Sequence, residues 1–188
     1  GNMRPLPTTP ITAYVGSNGS GKSLAVVERL VMPSIERKRP ILSNTPIFRG
    51  PEDASCPGEL CACRAIAEDG SSHWMVREPH PLYVPLVSWR QLSDRLQGVT
   101  IVLDEISSMF DSMESSKMPA QVRSAFQQLR KSDVLVAWTA PDWDRADKSL
   151  RRVTQGVWRC TGHRFRKVEG RAWRTATKCR WRFYDAAE

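Results

Sequence analysis

The sequence predicts an α/β fold in which helices flank a mainly parallel β-sheet, and three observations lead to this prediction. A glycine-rich loop follows the β-type run 11–15 and precedes a segment whose apolar residues have helical spacing. The later runs 99–103 and 134–138 are apolar almost throughout, as expected of parallel strands buried on both faces. Helical patterns separate the strand patterns, which is typical of βαβ units.

The first helix is predicted over residues 23–32, with Leu24, Val27 and Leu30 on one face. Pro33 follows and should end this helix within a residue or two. Residues 40–43 then form a short second strand, which completes a βαβ unit.

The second half of the chain alternates in the same way. Residues 88–96 are predicted to form a helix with a serine N-cap, and 119–131 a helix that a proline opens. The segment 106–118 is polar and rich in Met and Ser, so we predict it to be mobile. Residues 144–154 are predicted to form a short helix, and no internal repeat is visible.

Two segments lie outside this alternation. Residues 48–87 are rich in Pro, Gly, Ser and Cys and are predicted to form an irregular, Cys-rich insertion. Residues 157–184 alternate around two glycines and predict a basic β-hairpin extension. The 188 residues are expected to form one domain over 11–188, preceded by a tag remnant and an N-terminal arm over 1–10.

The charge is distributed unevenly along the chain. Residues 145–182 contain thirteen Lys and Arg against two acids, a net of +11, so the remaining residues together carry −3 of the total of +8. This asymmetry indicates either an anionic partner, such as DNA, or a solvated basic face. The five cysteines and the absence of a long apolar run predict a reducing, cytoplasmic location.

The glycine-rich loop matches the phosphate-binding (P-loop) pattern at each fixed position, with a strand before it and a helix after it. Its backbone N–H groups and the helix N-terminus are expected to bind the phosphates of a nucleoside triphosphate, most simply ATP with Mg²⁺. Lys22 can reach the β- and γ-phosphates, and the Ser23 hydroxyl can ligate Mg²⁺. The predicted nucleotide-binding residues are Gly16, Ser17, Asn18, Gly19, Ser20, Gly21, Lys22, Ser23 and Leu24.

The strand at 99–103 ends in two acids, as the second nucleotide motif of P-loop proteins does. Ligands of open α/β sheets bind at the carboxyl ends of the strands, which would bring Asp104 beside the P-loop. Asp104 is then expected to hold Mg²⁺, and Glu105 to polarise a water for attack on the γ-phosphate. With the loop, this motif predicts a P-loop NTPase fold of the RecA/ASCE-like type.

Further catalytic candidates are less specific. Thr139 ends the strand at 134–138 and could bond the γ-phosphate or the attacking water, or be an ordinary strand-end threonine. An arginine that stabilises the transferred phosphoryl group is also expected, and the sequence does not choose among the candidates. These are Arg123, Arg130, Arg145, Arg151 and Arg152.

A cluster of possible metal ligands lies in the insertion. Cys56, Cys61 and Cys63, with His73 and His80 downstream, could bind Zn²⁺ and thereby order this stretch. Their spacing is not a standard one, so chance clustering of free thiols stays an alternative.

The sequence resembles the zonular occludens toxin (Zot) family. The resemblance lies in the P-loop and in the segments 41–45, 103–105, 128–133 and 138–141. Arg151 and Arg152 extend this resemblance, which covers about residues 10–160. The sequence is most similar to Zot-like proteins of actinobacterial mobile elements. The resemblance implies a P-loop ATPase of the FtsK/HerA class that moves DNA or drives virion export at the inner membrane. It also implies a ring-forming homo-oligomer, a membrane-associated partner and a location at the inner face of the membrane.

By motif match the resemblance implies catalytic roles for Lys22, Ser23, Asp104 and Glu105, and less directly for Thr139. The chain departs from the phage members of the family, because no transmembrane segment follows the ATPase part and a Cys-rich insertion is present. Two other functions stay open: a small-molecule or nucleotide kinase, and a nucleotide-gated adaptor. The acid directly after Asp104 favours hydrolysis over kinase activity.

Overall fold

The computed structural model describes most of the chain. The described residues are 3–49, 63–66, 72–75, 78–92, 95–112, 119–129, 132–167 and 174–186. For some of these the backbone alone is described, namely 63–66, 72–75, 110–112, 163–167 and 174–179.

A seven-stranded sheet forms the centre of the molecule. Its strands are β1 (Ile11–Val15), β2 (Ile41–Ser43), β5 (Tyr83–Pro85), β6 (Thr100–Leu103), β7 (Leu135–Ala140), β8 (Gly156–Lys167) and β9 (Arg174–Asp185). The spatial order is β5-β2-β6-β7-β1-β8-β9, and each neighbouring pair is parallel except β8–β9. Every residue of β1, β6 and β7 is buried, as strands covered on both faces require. The predicted parallel α/β fold is confirmed.

The helices cover both faces of the sheet. One face packs against α1 (Lys22–Val26) and the helical turns that continue it, with Tyr14 and Leu30 in its core. The other face packs against α3 (Ile106–Ser112), α4 (Ala120–Gln128) and α5 (Lys148–Val153). None of the described helices is both long and apolar enough to cross a lipid bilayer.

The first helix passes through Pro33, so the prediction that this proline ends it is wrong. After α1, residues Val27–Val31 form a π-helical turn, and α2 (Met32–Glu36) continues the axis. The N–H of Met32 bonds to the carbonyl of Val27, five residues back. Pro33 directly follows this π-helical turn, where the i→i−4 hydrogen-bond pattern is already interrupted, so its missing N–H is tolerated there.

Two further element predictions are corrected. The predicted helix over 88–96 is reduced to a 3-10 turn at Trp89–Gln91, and Leu92 already has an extended conformation. Ser88 does cap this turn, in a capping box with Gln91. The segment 106–118, predicted to be mobile, begins with α3, because Ile106 and Met109 are buried in the core one helical turn apart.

The predicted helix over 119–131 is confirmed as α4, with Pro119 at its N-cap and Phe126 buried. The predicted helix over 144–154 is divided into a 3-10 turn at Trp143–Arg145 and α5, which Asp147 caps by accepting hydrogen bonds from Ser149 N and Leu150 N.

The predicted irregular segment 48–87 contains regular structure. β3 (Cys63–Ile66) and β4 (Ser72–Met75) form a separate antiparallel pair, and β5 joins the main sheet beside β2. The predicted C-terminal hairpin is confirmed as β8–β9, with a β-bulge between Cys160 and His163.

Phe126→Ala should lower the free energy of unfolding by about 3–5 kcal/mol, because this ring is 1% exposed between α4 and the sheet and its removal leaves a cavity. Urea denaturation measures the change. Gln127→Ala, an exposed change on the same helix, is the control and should alter stability little. Equal small effects of both substitutions would contradict the packing of α4.

Candidate nucleotide site

The P-loop turns sharply between β1 and α1. Ser20 N bonds back to Ser17 O at 3.1 Å, which closes the curl of the loop. Gly19 and Gly21 have φ values of 75° and 91°, a left-handed conformation that favours glycine. Gly21 is also the N-cap residue of α1, so the loop ends at the helix N-terminus that the sequence predicts for phosphate binding.

Neighbouring strands hold the P-loop from both sides. On one side Gly16 N donates to Ala140 O at the end of β7, at 3.2 Å. On the other side Gly162 N in the bulge of β8 donates to Ser20 O, also at 3.2 Å. A side chain at Gly16 would collide with Cys160 O, so glycine is required there for close approach. The contact with β8 is not foreseen from the sequence, in which only Gly162 marks the place of the bulge.

Lys22 lies beneath the loop and is 6% exposed. Its Nζ donates to Gly16 O at 2.7 Å and to Ser17 O at 3.1 Å. The same nitrogen lies 3.9 Å from Glu105 Oε1. The structure therefore brings the predicted lysine of the P-loop together with the predicted acid after β6.

Asp104 and Glu105 follow β6 at the carboxyl edge of the sheet. Asp104 Oδ1 accepts a hydrogen bond from Thr139 Oγ1 at 2.7 Å, and Oδ2 accepts one from Thr45 Oγ1 at 3.2 Å. Glu105 has a φ of 48°, which is unusual for a residue other than glycine, and its side chain is 45% exposed. Such a conformation persists where surrounding contacts determine it, and here Glu105 N donates to Thr139 Oγ1 at 2.8 Å.

Thr139 bonds to both acidic residues that follow β6, and a role toward the γ-phosphate or the attacking water stays a prediction. Its side chain is fully buried, and its hydroxyl joins Asp104 Oδ1 to Glu105 N. A hydroxyl has one proton to donate, and here that proton goes to Asp104. Thr139 therefore fixes the two acidic residues relative to each other.

Burial raises the pKa of Tyr14 on β1 well above its usual value, and the nearby Arg29 guanidinium offsets part of this rise. The Tyr14 phenol, whose ordinary pKa is already about 10, stays neutral at physiological pH.

The oxygen donors at this edge fit a magnesium ion that binds together with a nucleotide. Mg²⁺ in such sites takes one or two protein oxygens and obtains its other ligands from phosphates and water. The Asp104 carboxylate keeps lone pairs beyond the two that accept hydroxyl protons. Ser23 lies exposed in the first turn of α1 and offers a second oxygen. Within the described residues, no cluster of three His, Cys, Asp or Glu side chains could hold a metal by itself.

The proposed zinc ligands are largely outside the described part of the chain. Cys56 and Cys61 lie outside it, and Cys63 and His73 are described by their backbone alone, in β3 and β4. Zinc binding there stays a prediction.

Two of the five arginine candidates have partners among the described residues. Arg123 donates to Ser149 Oγ at 3.3 Å, and Arg151 pairs with Asp144 at 3.2 Å. Arg130 lies outside the described residues, and Arg145 and Arg152 are exposed. The arrangement within one chain therefore does not select an arginine for the transferred phosphoryl group.

The family model described as zonular occludens toxin (Zot) matches residues 11–172. The chain belongs to the Zot family. A comparison of this Zot-family chain with curated protein sequences gave no significant match.

Solved structures share the fold of this Zot-family chain. The genome packaging NTPase B204 from Sulfolobus turreted icosahedral virus 2, in complex with ATP-gammaS, aligns with a TM-score of 0.50 and 12% identity, over 82% of this chain and 75% of that chain. Its complex with sulfate gives a TM-score of 0.49 and 11% identity, over 88% and 78% of the two chains. At such identity the likeness concerns the fold, which is that of a P-loop NTPase.

Lys22→Ala should weaken nucleoside triphosphate binding by roughly a hundredfold, because charge-assisted hydrogen bonds contribute about 1.5–3 kcal/mol. Titration with a fluorescent ATP analogue measures the dissociation constant. Lys148→Ala removes an exposed lysine at the start of α5 and should leave affinity unchanged. An unchanged dissociation constant in Lys22→Ala would mean that this lysine does not face the phosphates.

Proposed function

We propose that this chain is an ATP-hydrolysing motor domain that acts on DNA during packaging or mobile-element assembly. The observation that carries the proposal is the meeting of Lys22 and Glu105 at 3.9 Å, with Asp104 alongside, at the carboxyl edge of a parallel sheet. Two segments far apart in the sequence thus contribute the three proposed groups. These are a phosphate-binding lysine, a metal-binding acid and a general base.

In the proposed reaction the P-loop amides and Lys22 bind the β- and γ-phosphates and stabilise the charge that develops on them. Ser23 and Asp104 would hold Mg²⁺, which neutralises phosphate charge when bound. Glu105 orients a water and accepts its proton as the water oxygen bonds to the γ-phosphorus. The bond from that phosphorus to the β–γ bridging oxygen breaks, which yields ADP and phosphate.

Glu105→Gln should retain ATP binding and lower the hydrolysis rate by roughly a hundredfold or more, as loss of a general base does. Phosphate release measures the rate, and equilibrium titration measures binding. Glu28→Gln makes the same chemical change at an exposed position of the first helix and should leave the rate unchanged. Normal hydrolysis by Glu105→Gln would assign the water to another residue.

The exposed face of the C-terminal hairpin supports DNA as the partner. Arg159 and Arg182 are directly opposite each other on β8 and β9, and both are exposed. Like charges at facing positions destabilise a sheet, and an anion between them would offset that cost. Within the described residues neither guanidinium has an acidic partner. Phosphates of a DNA backbone have the charge to fill this role.

Two of the described aromatic side chains of the hairpin are less available for base stacking than Phe183 and Tyr184, which are exposed. Trp158 and Trp181 pack against the core, and Arg29 stacks on the Trp158 ring at 3.6 Å from its centroid. Phe183 remains 42% exposed. Binding to the phosphate backbone without sequence preference therefore fits this face better than base recognition.

The same hairpin is attached to the nucleotide loop through the bond from Gly162 N to Ser20 O. Nucleotide-dependent movement of the loop would thus reach the surface proposed to hold DNA. The structurally similar protein B204 is a genome packaging NTPase, which agrees with a nucleic acid as cargo. Motors of this kind commonly assemble as rings, so we propose a homo-oligomer, to be tested by the mass in solution.

The proposal as a whole is tested by the ATPase rate with and without DNA. A DNA-stimulated rate is expected of a motor. A nucleotide-gated adaptor would bind ATP with negligible turnover, and a small-molecule kinase would need an acceptor substrate that DNA does not supply.

The double substitution Arg159→Glu and Arg182→Glu should weaken DNA binding about tenfold or more at low salt. The facing positions still carry like charges, so strand repulsion is unchanged while phosphate attraction is lost. Fluorescence anisotropy with a labelled duplex at several salt concentrations measures this. Arg90→Glu with Arg95→Glu, exposed positions near the opposite edge of the sheet, makes the same change in net charge as a control. Equal weakening by both pairs would indicate an effect of net charge alone.

A further inference from the structure

The end of β2 makes a close contact with the main chain of Asp104. Asn44 Nδ2 donates to Asp104 O at 2.7 Å, and Asn44 Oδ1 accepts from Asp104 N at 2.7 Å. The backbone N–H of Asn44 also lies 3.4 Å from Val102 O. Both hydrogen-bonding groups of the Asp104 backbone are thus satisfied by one amide side chain.

The Asn44 side chain supplies the hydrogen bonds that a further backbone pairing between β2 and β6 would have made to Asp104. The ladder between β2 and β6 runs from Ile41 and Thr100 to Ser43 and Val102, so Asp104 lies beyond it. A backbone group without a partner would be free to reorient, and an asparagine amide has the donor and the acceptor needed to hold both. The side chain of Asn44 therefore fixes the backbone of Asp104, which connects the end of β6 to the left-handed backbone of Glu105.

The carboxylate of Asp104 is held from the same strand end. Thr45 Oγ1 donates to Oδ2 at 3.2 Å, opposite the bond from Thr139 to Oδ1. Thr139 is buried, whereas Thr45 is exposed. One hydroxyl on each carboxylate oxygen restricts rotation of the group and leaves the remaining lone pairs in a fixed direction.

We propose that Asn44 and Thr45 are positioning residues for the metal-binding carboxylate of Asp104. Asn44 fixes the backbone of Asp104, and Thr45 fixes the orientation of its carboxylate. This inference rests on the proposed function, in which Asp104 holds Mg²⁺. Residues that orient a metal ligand in this way change metal affinity by about 10–100-fold when they are removed.

Thr45 offers a matched pair of substitutions. Thr45→Val removes the hydroxyl at nearly constant volume, and Thr45→Ser keeps it. The measured quantity is the dissociation constant of Mn²⁺, a spectroscopic substitute for Mg²⁺, in the presence of saturating ATPγS, by electron paramagnetic resonance. Thr45→Val should weaken Mn²⁺ binding about tenfold or more, and Thr45→Ser should bind Mn²⁺ like the wild type.

Two further measurements separate positioning from general damage. Affinity for ATPγS in EDTA should be the same in Thr45→Val and wild type, because the hydroxyl acts on the metal ligand and not on the P-loop. In an Asp104→Ala background, Thr45→Val should have no additional effect on Mn²⁺ affinity, since the residue acts through that carboxylate. An additional effect of similar size there would contradict the proposal.

For Asn44→Ala the Mn²⁺ dissociation constant is measured in the same assay, and the free energy of unfolding is measured separately. Weaker Mn²⁺ binding by a protein that remains folded is expected. Unchanged Mn²⁺ affinity in both Thr45→Val and Asn44→Ala would overturn this inference. That result would not contradict the proposed function. Failure of the wild type to bind ATPγS would instead overturn the proposed function and the inference with it, so the two failures are distinguishable.

Discussion

The register between β6 and β7 is the constraint on which the site depends. Leu103 pairs with Trp138, so the residues that follow them in the chain, Asp104 and Thr139, lie next to each other. The buried hydroxyl of Thr139 then joins Asp104 to Glu105. A slip of one residue would turn Thr139 to the opposite face and separate these groups. Burial of both strands on both faces makes that slip costly, so packing of the core fixes the geometry of the acids.

The P-loop is held by its surroundings as much as by its own glycines. The end of β7 bonds to its first residue, and the bulge of β8 bonds to Ser20. The ammonium of Lys22 is almost completely buried, and a buried charge is tolerated only where hydrogen bonds satisfy it. Two loop carbonyls provide them. Loop, lysine and hairpin therefore form one connected unit.

Local patterns predicted β1, β2, β6, β7, the C-terminal hairpin and α4, because strong periodicity and a proline N-cap are local signals. They missed β3, β4 and β5, which lie in the segment predicted to be irregular. They failed where tertiary contacts decided the outcome. The first helix continues past Pro33 because a π-helical turn directly precedes this proline and already interrupts the i→i−4 hydrogen-bond pattern. The polar segment after Glu105 begins as a helix because Ile106 and Met109 reach the core. A count of polar residues does not reveal two buried anchors among them.

The sequence by itself determined the chemistry of the candidate site: the phosphate-binding loop with Lys22 and Ser23, and the strand that ends in Asp104 and Glu105. These are contiguous motifs whose residue types and spacing reflect local geometry. Only the tertiary structure decided that Asn44 and Thr45 bond to Asp104 and that Gly162 bonds to the P-loop. Asn44 lies sixty residues from Asp104 along the chain. Such contacts depend on strand order, register and a β-bulge, which are set by packing of the whole sheet and leave no local pattern in the sequence.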